Sequence, residues 1–266
     1  MLKILFIGDV NGKIGRKTVT KILPKLKKSS KIDFVIANAE NCAHGSGVNE
    51  SGLKEMMEAG VDYFTAGDHS FDKLSQTDCF KKMPIIRPAN YPAGVPGKGF
   101  NIFKIGKHEI LLINLIGRVF MKKDYDCPFR KMDEILAKQS LAGKKISAII
   151  VDIHAEATSE KICLGHYANG RVSAVLGTHT HVMTADAEIK DKGTAYITDV
   201  GMVGAADQCI GVDKENITKT FLTQISYPHV IPEKGKTIFN AVLLTIDPKT
   251  GKTVNIKPVI KFAQIK

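Results

Sequence analysis

Cysteine pairs and long apolar runs are both missing from this sequence. The five cysteines are scattered and form no C-x-x-C pair, which argues against a disulfide framework or a zinc ribbon and is typical of reduced thiols. No apolar run approaches the roughly 20 residues of a membrane span, and the apolar stretch at the N-terminus is too short for a signal sequence. We therefore expect a cytoplasmic protein that has no membrane partner.

Arginine is scarce, although the chain is basic. The formal net charge is +11 at pH 7, but only five of the 38 basic residues are arginine. The lysines are spread over predicted helix faces and loops, whereas recognition of phosphates and base edges favours clustered arginine. A solvated lysine-rich surface explains this pattern better than a nucleic-acid footprint, so we expect no stable nucleic-acid complex. Attraction of small anionic substrates stays open.

Three common functional motifs are also absent. The stretch GDVNGKIG fails the spacing of a phosphate-binding P-loop, and Ile14 stands where that motif needs Ser or Thr after the lysine. The dinucleotide-binding pattern G-x-G-x-x-G does not occur, nor does the G-x-S-x-G elbow of serine hydrolases. The sequence therefore argues against P-loop, Rossmann and serine-nucleophile chemistry.

Apolar periodicity alternates between strand and helix over the first third of the chain. Buried strands are predicted at 2–8, 33–40 and 61–67, and helices at 13–28, 49–60 and within 72–83. Asn49 is the expected N-cap of the second helix, and Gly60 its stop. This repeated strand–helix order predicts a parallel sheet with functional loops at the strand C-termini.

The pattern changes in the middle and at the end of the chain. We predict a hairpin at 99–117 that turns at Gly106, helices at 129–143 and 158–170, strands at 147–153 and 172–178, and a β-rich tail of antiparallel strands. With 44% hydrophobic residues, the chain can form a substantial core. We expect one α/β domain over residues 1–266, with two sheets packed face to face and helices outside.

Polar side chains follow five of the predicted buried strands. They comprise three carboxylates, two amides and four imidazoles: Asp9, Asn11, Glu40, Asn41, Asp68, His69, His154, His179 and His181. Any one of these residues has a structural explanation, since helix caps and turns recruit the same residue types. Their joint position at one edge is better explained by metal binding.

This mixture of oxygen and nitrogen ligands suits iron, manganese or zinc more than calcium or magnesium. The set is too large for one ion, and paired metals about 3.5–4 Å apart commonly serve displacement at phosphorus. His179 and His181 stand two positions apart, where a strand would point them the same way and an irregular turn could converge them. We predict that they face different ions of one pair.

The succession of motifs GDVNG, NAEN, GDHSFD, DIHAEATSEK and GTHTHV resembles that of the calcineurin-like metallophosphoesterases. Within them, the chain closely resembles the bacterial YmdB family of cyclic-nucleotide phosphodiesterases. The resemblance covers nearly the whole chain, including RPAN, PGKG, INLIGR, TAD and GTAYITDVGM. It implies a four-layer αββα sandwich and two metal ions, iron first, with manganese or zinc as alternatives.

The same resemblance implies a role for each site residue. One ion would be held by Asp9, Glu40, Asn41 and His181, and the other by Glu40, Asp68, His154 and His179. Glu40 would bridge the two ions, and His69 would be the unligated general acid that protonates the leaving group. The implied activity is hydrolysis of a small phosphodiester, a 2',3'-cyclic or 3',5'-cyclic nucleotide, by a hydroxide held between the metals.

Two positions depart from the wider superfamily pattern. Asp68 stands at the position of the asparagine in the usual Gly-Asn-His motif, which puts the charge and the preferred metal of the site in question. Asn11 stands where many relatives outside the YmdB group carry a ligand histidine. The residues that bind substrate are unknown, because Arg87, Asn90, Lys98 and Arg118 fit a surface or interface role at least as well as binding of phosphate or base.

Two other functions stay open at this point. A phosphomonoesterase or protein phosphatase would use the same metals, and a regulatory protein could retain them for structure alone. An unligated His69 beside the metals favours an enzyme. Homo-oligomer formation is also open.

Overall fold

The computed structural model describes residues 1–72, 77–141, 143 and 145–266. The strands are β1 Leu2–Ile7, β2 Asp9–Val10, β3 Phe34–Asn38, β4 Tyr63–Thr65, β5 Phe100–Ile105, β6 His108–Ile116, β7 Ile146–His154, β8 Ala174–Thr178, β9 Glu188–Ile189, β10 Ala195–Ile197, β11 Met202–Ala205, β12 Gly235–Ile246 and β13 Thr253–Ile265. The helices are α1 Gly12–Ser30, α2 Glu50–Glu58, α3 Cys79–Lys82, α4 Pro128–Leu141, α5 Thr158–Tyr167 and α6 Lys214–Thr223, with a 3-10 turn at Asp68–Phe71.

The described strands form two mixed sheets. The first has the order β2-β11-β12-β1-β3-β4, with β13 paired to β12, and the second has the order β5-β6-β7-β8-β10-β9. Strands β1, β3 and β4 run parallel, which confirms the parallel sheet predicted for the first third of the chain. Strands β6, β7 and β8 also run parallel. Each parallel set therefore delivers its carboxyl ends to one edge of its sheet.

Successive residues of a strand pack into different hydrophobic cores. On β1, Leu5 and Ile7 pack towards α1 and α2, whereas Ile4 and Phe6 pack between the two sheets. A third core lies between the second sheet and helices α4 and α5. Because a strand turns successive side chains to opposite faces, each sheet contributes to two of these cores. The resulting order of helix, sheet, sheet and helix confirms the expected αββα sandwich.

Local signals explain the first helices. Helix α1 buries Ile14, Val19, Leu23 and Leu26, which recur at helical spacing on one face. At the start of α2, the side chain of Asn49 accepts a hydrogen bond from Gly52 N–H at 2.8 Å, as predicted for an N-cap. That helix ends beside Gly60, whose φ of 107° favours glycine.

The tail prediction was right about its strands and wrong about a helix. Strands β12 and β13 pair antiparallel, as expected. Helix α6 lies within the segment that we expected to be β-rich. It buries none of its residues, and only three of its ten residues are apolar (Ile217, Phe221 and Leu222), which is a weak helical signal in a sequence. The sequence signal that could have predicted this helix is its N-cap, since the Asp213 carboxylate accepts a hydrogen bond from Asn216 N–H at 2.9 Å.

Other predicted elements are found close to their expected bounds. Gly106 turns the β5–β6 hairpin with a φ of 57°. The helix expected within 72–83 is confirmed for Cys79–Lys82, while residues 73–76 lie outside the described residues. The helix expected over 129–143 runs to Leu141, and residue 142 is likewise outside them. Within the described ranges, no helix has the length and apolar character needed to cross a membrane.

Candidate metal centre

The strand ends place the predicted ligand residues together, where the carboxyl edges of the two sheets meet. Asp9 follows β1, Glu40 and Asn41 follow β3, and Asp68 and His69 follow β4 in the first sheet. From the second sheet come His154, the last residue of β7, and His179 and His181, which follow β8. Polar atoms of these eight side chains form a continuous chain of contacts.

Four residues form the tighter part of the cluster. Ligand-type atoms of Glu40, Asp68, His154 and His179 all lie within 4.8 Å of one another. His154 Nε2 is 3.2 Å from Glu40 Oε2, 3.2 Å from Asp68 Oδ1 and 3.0 Å from His179 Nδ1. These four residues are the set that the family resemblance assigns to one of the two ions.

The remaining predicted ligands adjoin Glu40 on its other side. Asn41 Nδ2 lies 2.9 Å from Glu40 Oε1 and 3.2 Å from His181 Nε2. Asp9 Oδ1 lies 3.9 Å from His181 Nε2. Glu40 therefore turns one carboxylate oxygen to each part of the cluster, which is the position a bridging ligand requires.

The outer nitrogen of each of these three imidazoles lies close to an oxygen atom. His154 Nδ1 lies 2.9 Å from Thr178 Oγ1, whose hydroxyl donates to Asp152 Oδ1 at 2.8 Å. Since that hydroxyl has one proton, it accepts from His154 Nδ1–H, and Nε2 is left with a free lone pair. His179 Nε2 lies 3.1 Å from Glu156 Oε2, and His181 Nδ1 lies 3.0 Å from the Ile210 carbonyl. With these partners holding the outer protons, the nitrogens that face the cluster would be free to ligate a metal ion once the inner proton is lost.

The charges and unpaired atoms of the cluster fit a cation. Asp9, Glu40 and Asp68 are all buried, and buried carboxylates are costly unless a positive charge offsets them. Asp9 Oδ1 has no hydrogen-bond partner among the described residues, and burial raises the pKa of this carboxyl. Burial also acts to raise the pKa of Glu40, but the adjacent His154 outweighs it and lowers that pKa. A metal ion would supply both the missing partner and the missing charge.

The turns that carry the ligands have unusual backbone requirements. A Cβ on Gly67 would overlap Glu40 Oε2 and His154 Nε2, so only glycine lets the chain before Asp68 approach the cluster. His179 and His181 have φ values of 98° and 65°, so they lie on an irregular turn and not on a strand.

That turn is fixed by the carboxylate of Asp199, which accepts from Thr180 N–H at 3.0 Å and from its hydroxyl at 2.7 Å. The same carboxylate oxygen accepts from Lys161 Nζ at 2.8 Å, and both charged side chains are buried. The conformation of the histidine turn therefore depends on an ion pair that lies outside the ligand set.

His69 lies beside the cluster with one nitrogen held by a carboxylate. Its Nδ1 is 2.5 Å from Asp72 Oδ2, which also accepts from the Ser46 hydroxyl at 2.8 Å. Its Nε2 lies 3.9 Å from Asp68 Oδ2. Burial acts to lower the pKa of His69, but the negative charges of Glu40, Asp68 and Asp72 outweigh burial and raise it. The surrounding carboxylates therefore favour the protonated form of this imidazole.

Several residues that support the site escaped the sequence analysis. Glu156 orients His179 and was visible only as part of the DIHAEATSEK motif. Asp152 interrupts the apolar residues of β7, and this buried carboxylate was the available signal. Burial raises the pKa of Asp152 to about 7, although His154 and the hydroxyls of Thr65 and Thr178 act to lower it.

The four residues considered for substrate binding lie elsewhere or serve the fold. Asn90 is buried, and its side-chain amide donates to the carbonyls of Ile116 at 2.7 Å and Asp126 at 2.8 Å. Arg87 donates to the Pro88 carbonyl at 2.8 Å. A cleft of about 320 Å³ opens over the cluster. The described residues that line this cleft include none of the four: Arg87, Asn90, Lys98 and Arg118.

Comparisons with known proteins show the family of the chain. A family model described as YmdB-like protein matches residues 5–259. The chain is 46% identical over 260 residues, 97% of each chain, to the 2',3'-cyclic-nucleotide 2'-phosphodiesterase of Bacillus subtilis (strain 168). It is also similar to the crystal structure of a hypothetical protein from Thermus thermophilus, with 40% identity, full coverage of both chains and a TM-score of 0.91.

A more distant structure shares the fold alone. It is a putative 5'-nucleotidase from Staphylococcus aureus, with 12% identity and a TM-score of 0.60 over 99% of this chain and 54% of the other. The family model and the close relatives extend over nearly all of the sequence. On these grounds, the chain belongs to the YmdB-like family.

Proposed function

We propose that this protein is a di-metal phosphodiesterase that hydrolyses a small phosphodiester, a 2',3'-cyclic or 3',5'-cyclic nucleotide. The observation that carries the proposal is the shared position of Glu40 between two ligand groups, with His69 beside them in the same cleft. The Bacillus subtilis relative, which is named a 2',3'-cyclic-nucleotide 2'-phosphodiesterase, supports the choice of substrate class.

Seven side chains would hold the metals. Asp9, Glu40, Asn41 and His181 would bind one ion, and Glu40, Asp68, His154 and His179 the other. We propose iron first, with manganese or zinc as alternatives, because the ligand set mixes carboxylate, amide and imidazole. Bound metals at such a site lower the pKa of water and offset the charge that develops on phosphoryl oxygens.

His69 would supply the proton that the leaving oxygen needs. Its Nδ1 is occupied by Asp72, so Nε2 is the atom free to donate towards the cleft. Asp72 and Ser46 keep the ring in place, and the surrounding carboxylates favour the protonated ring. Since His69 is itself outside the proposed ligand set, its proton is available at the stage when the phosphodiester bond breaks.

The test is metal analysis of anaerobically purified protein combined with a panel of phosphoesters. The panel contains 2',3'-cyclic AMP, 3',5'-cyclic AMP, a 3'-nucleotide monoester and bis(p-nitrophenyl) phosphate. We expect about two metal ions per chain and turnover of a cyclic nucleotide above the monoester. Turnover of the monoester alone would identify a phosphomonoesterase, and bound metal without any turnover would indicate a regulatory protein. Absence of both metal and turnover would overturn the proposal entirely.

A further inference from the structure

An apolar groove of about 400 Å³ adjoins the metal cleft. Its walls include the aliphatic and thioether side chains of Val182, Met183, Met202, Ile238 and Ile260. Val182 and Ile260 are 60% and 53% exposed, so the groove opens to solvent. Its size and lining are those of a site for an organic ligand, since such sites are mostly apolar and range over about 300–1,000 Å³.

The groove and the metal cleft share a wall. His181 and Ile210 line both spaces, and His181 is one of the proposed metal ligands. The Ile210 carbonyl accepts from His181 Nδ1 at 3.0 Å and from Asn11 Nδ2 at 3.3 Å, so the backbone at this wall is fixed. A ligand with a phosphate at the metals therefore has an apolar surface directly beside it.

Ile210 occupies a conformation that isoleucine rarely adopts. Cys209 and Val212 exchange two backbone hydrogen bonds of 2.9 Å, which leaves Ile210 and Gly211 as a two-residue turn. Their φ values are 45° and 91°, and a type I' turn with two positive φ values favours Asn-Gly. A β-branched residue is strained there, yet its side chain is 50% exposed at the shared wall. Strain of this kind is characteristic of functional positions.

The groove also contains a buried polar group without a partner. Asn240 is 3% exposed, and its Oδ1 has no hydrogen-bond partner among the described residues. Asn240 is part of the lining, in an otherwise largely apolar wall. An unpaired acceptor of this kind costs free energy unless a ligand or water supplies a donor. A polar edge on an occupant of the groove is one source of such a donor, and this observation is independent of the turn.

We propose that this groove binds the nucleobase of the substrate, with Ile210 and Ile260 as residues that determine specificity. The inference rests on the proposed function, because it places the phosphate at the metal centre. A nucleobase has apolar faces and a polar edge, which match the aliphatic walls and the Asn240 amide. The groove thereby separates nucleotide substrates from phosphodiesters that carry no base.

The test compares two substrates with the same reacting group. Both 2',3'-cyclic AMP and glycerol 1,2-cyclic phosphate contain a five-membered cyclic diester with one negative charge, but only the first has a base. The measured quantity is the ratio of their kcat/KM values, which we expect to exceed one in the unmodified protein. Ile260→Lys should lower this ratio about tenfold, since it replaces one apolar wall of the groove by a charged side chain.

The matched control is Val254→Lys on the same strand. Val254 is 50% exposed, against 53% for Ile260, and does not belong to the groove lining found in the described residues. Val254→Lys adds the same charge to the same strand but away from the groove, so it should leave the ratio unchanged. Ile210→Asn should lower the ratio as well, while raising the Tm by about 2–4 °C, because asparagine suits the turn.

The outcomes separate this inference from the proposed function. A ratio near one in the unmodified protein, or an equal ratio in Ile260→Lys and Val254→Lys, would overturn the groove as a base site. In both cases turnover of the glycerol cyclic phosphate would still support the phosphodiesterase. Absence of turnover of both substrates and of 3',5'-cyclic AMP by the unmodified protein would instead overturn the proposed function itself, and the base site with it.

Discussion

Thr178→Val should weaken metal binding without disturbing any proposed ligand directly. The Thr178 hydroxyl connects His154 Nδ1 to the Asp152 carboxylate through contacts of 2.9 Å and 2.8 Å. Valine fills nearly the same volume but leaves the proton on His154 Nδ1 without its acceptor, in a fully buried place. The tautomer of His154 that carries its proton on Nδ1 is then less favoured. The lone pair of Nε2 is therefore less often available to the metal.

The magnitude follows from the burial of these groups. An unsatisfied buried donor costs about 1–3 kcal/mol, so Thr178→Val should lower the free energy of unfolding of the metal-free protein by about that amount. Loss of a hydrogen-bond partner behind a ligand histidine typically lowers metal affinity about 10- to 100-fold. That range corresponds to about 1.4–2.7 kcal/mol of binding free energy. The variant should therefore lose both stability and metal affinity.

Thr65→Val provides the matched control. Thr65 is also fully buried and donates to the same carboxylate, at Asp152 Oδ2, over 2.5 Å. Neither Thr65 nor its replacement orients His154, so Thr65→Val should be destabilised while keeping its metal affinity. The assay is competition between metal-stripped protein and a chelating dye for Mn²⁺ at pH 8, above the pKa of about 7 that burial gives Asp152. Equal affinity losses in the two variants, or none in Thr178→Val, would refute the connection.

Three further predictions concern the proposed ligands and the general acid. His69→Ala should keep both metals and lower kcat by about 10²- to 10⁴-fold for poor leaving groups, but less for nitrophenyl esters; a uniform loss would assign His69 to positioning. Asp68→Asn removes one of the three buried carboxylates among the proposed ligands, so kcat/KM for a 3'-nucleotide monoester should rise relative to a 2',3'-cyclic nucleotide at constant metal content. Loss of iron in that variant, measured by metal analysis, would instead show that Asp68 balances the charge of a trivalent ion. His181→Ala should reduce metal content and His108→Ala should not, and equal losses would mean that general destabilisation had been mistaken for ligation.

The sequence by itself predicted the order of elements and the candidate ligands. Unbroken apolar runs and helical spacing are local properties, so they predicted β1, α1 and the parallel strands of the first third. A residue that directly follows a buried parallel strand must lie at the carboxyl edge of its sheet, because chain connectivity leaves it no other place. For that reason Asp9, Glu40 and His154 could be proposed as partners without a structure. The family resemblance added the assignment of roles, which stays a prediction.

Only the tertiary structure decided how the two sheets meet and what surrounds the ligands. The contact of 3.2 Å between Asn38 Nδ2 and Asp152 Oδ2 joins strands that are 114 residues apart in the sequence. The roles of Thr178, Glu156 and the Lys161–Asp199 pair depend on such contacts, and no local pattern encodes them. Helix α6 was missed because only three of its ten residues are apolar, and the apolar groove was missed because its walls come from separate segments. The pattern of apolar residues indicates which side chains become buried. Which residues each buried side chain contacts is decided only when the sheets pack together.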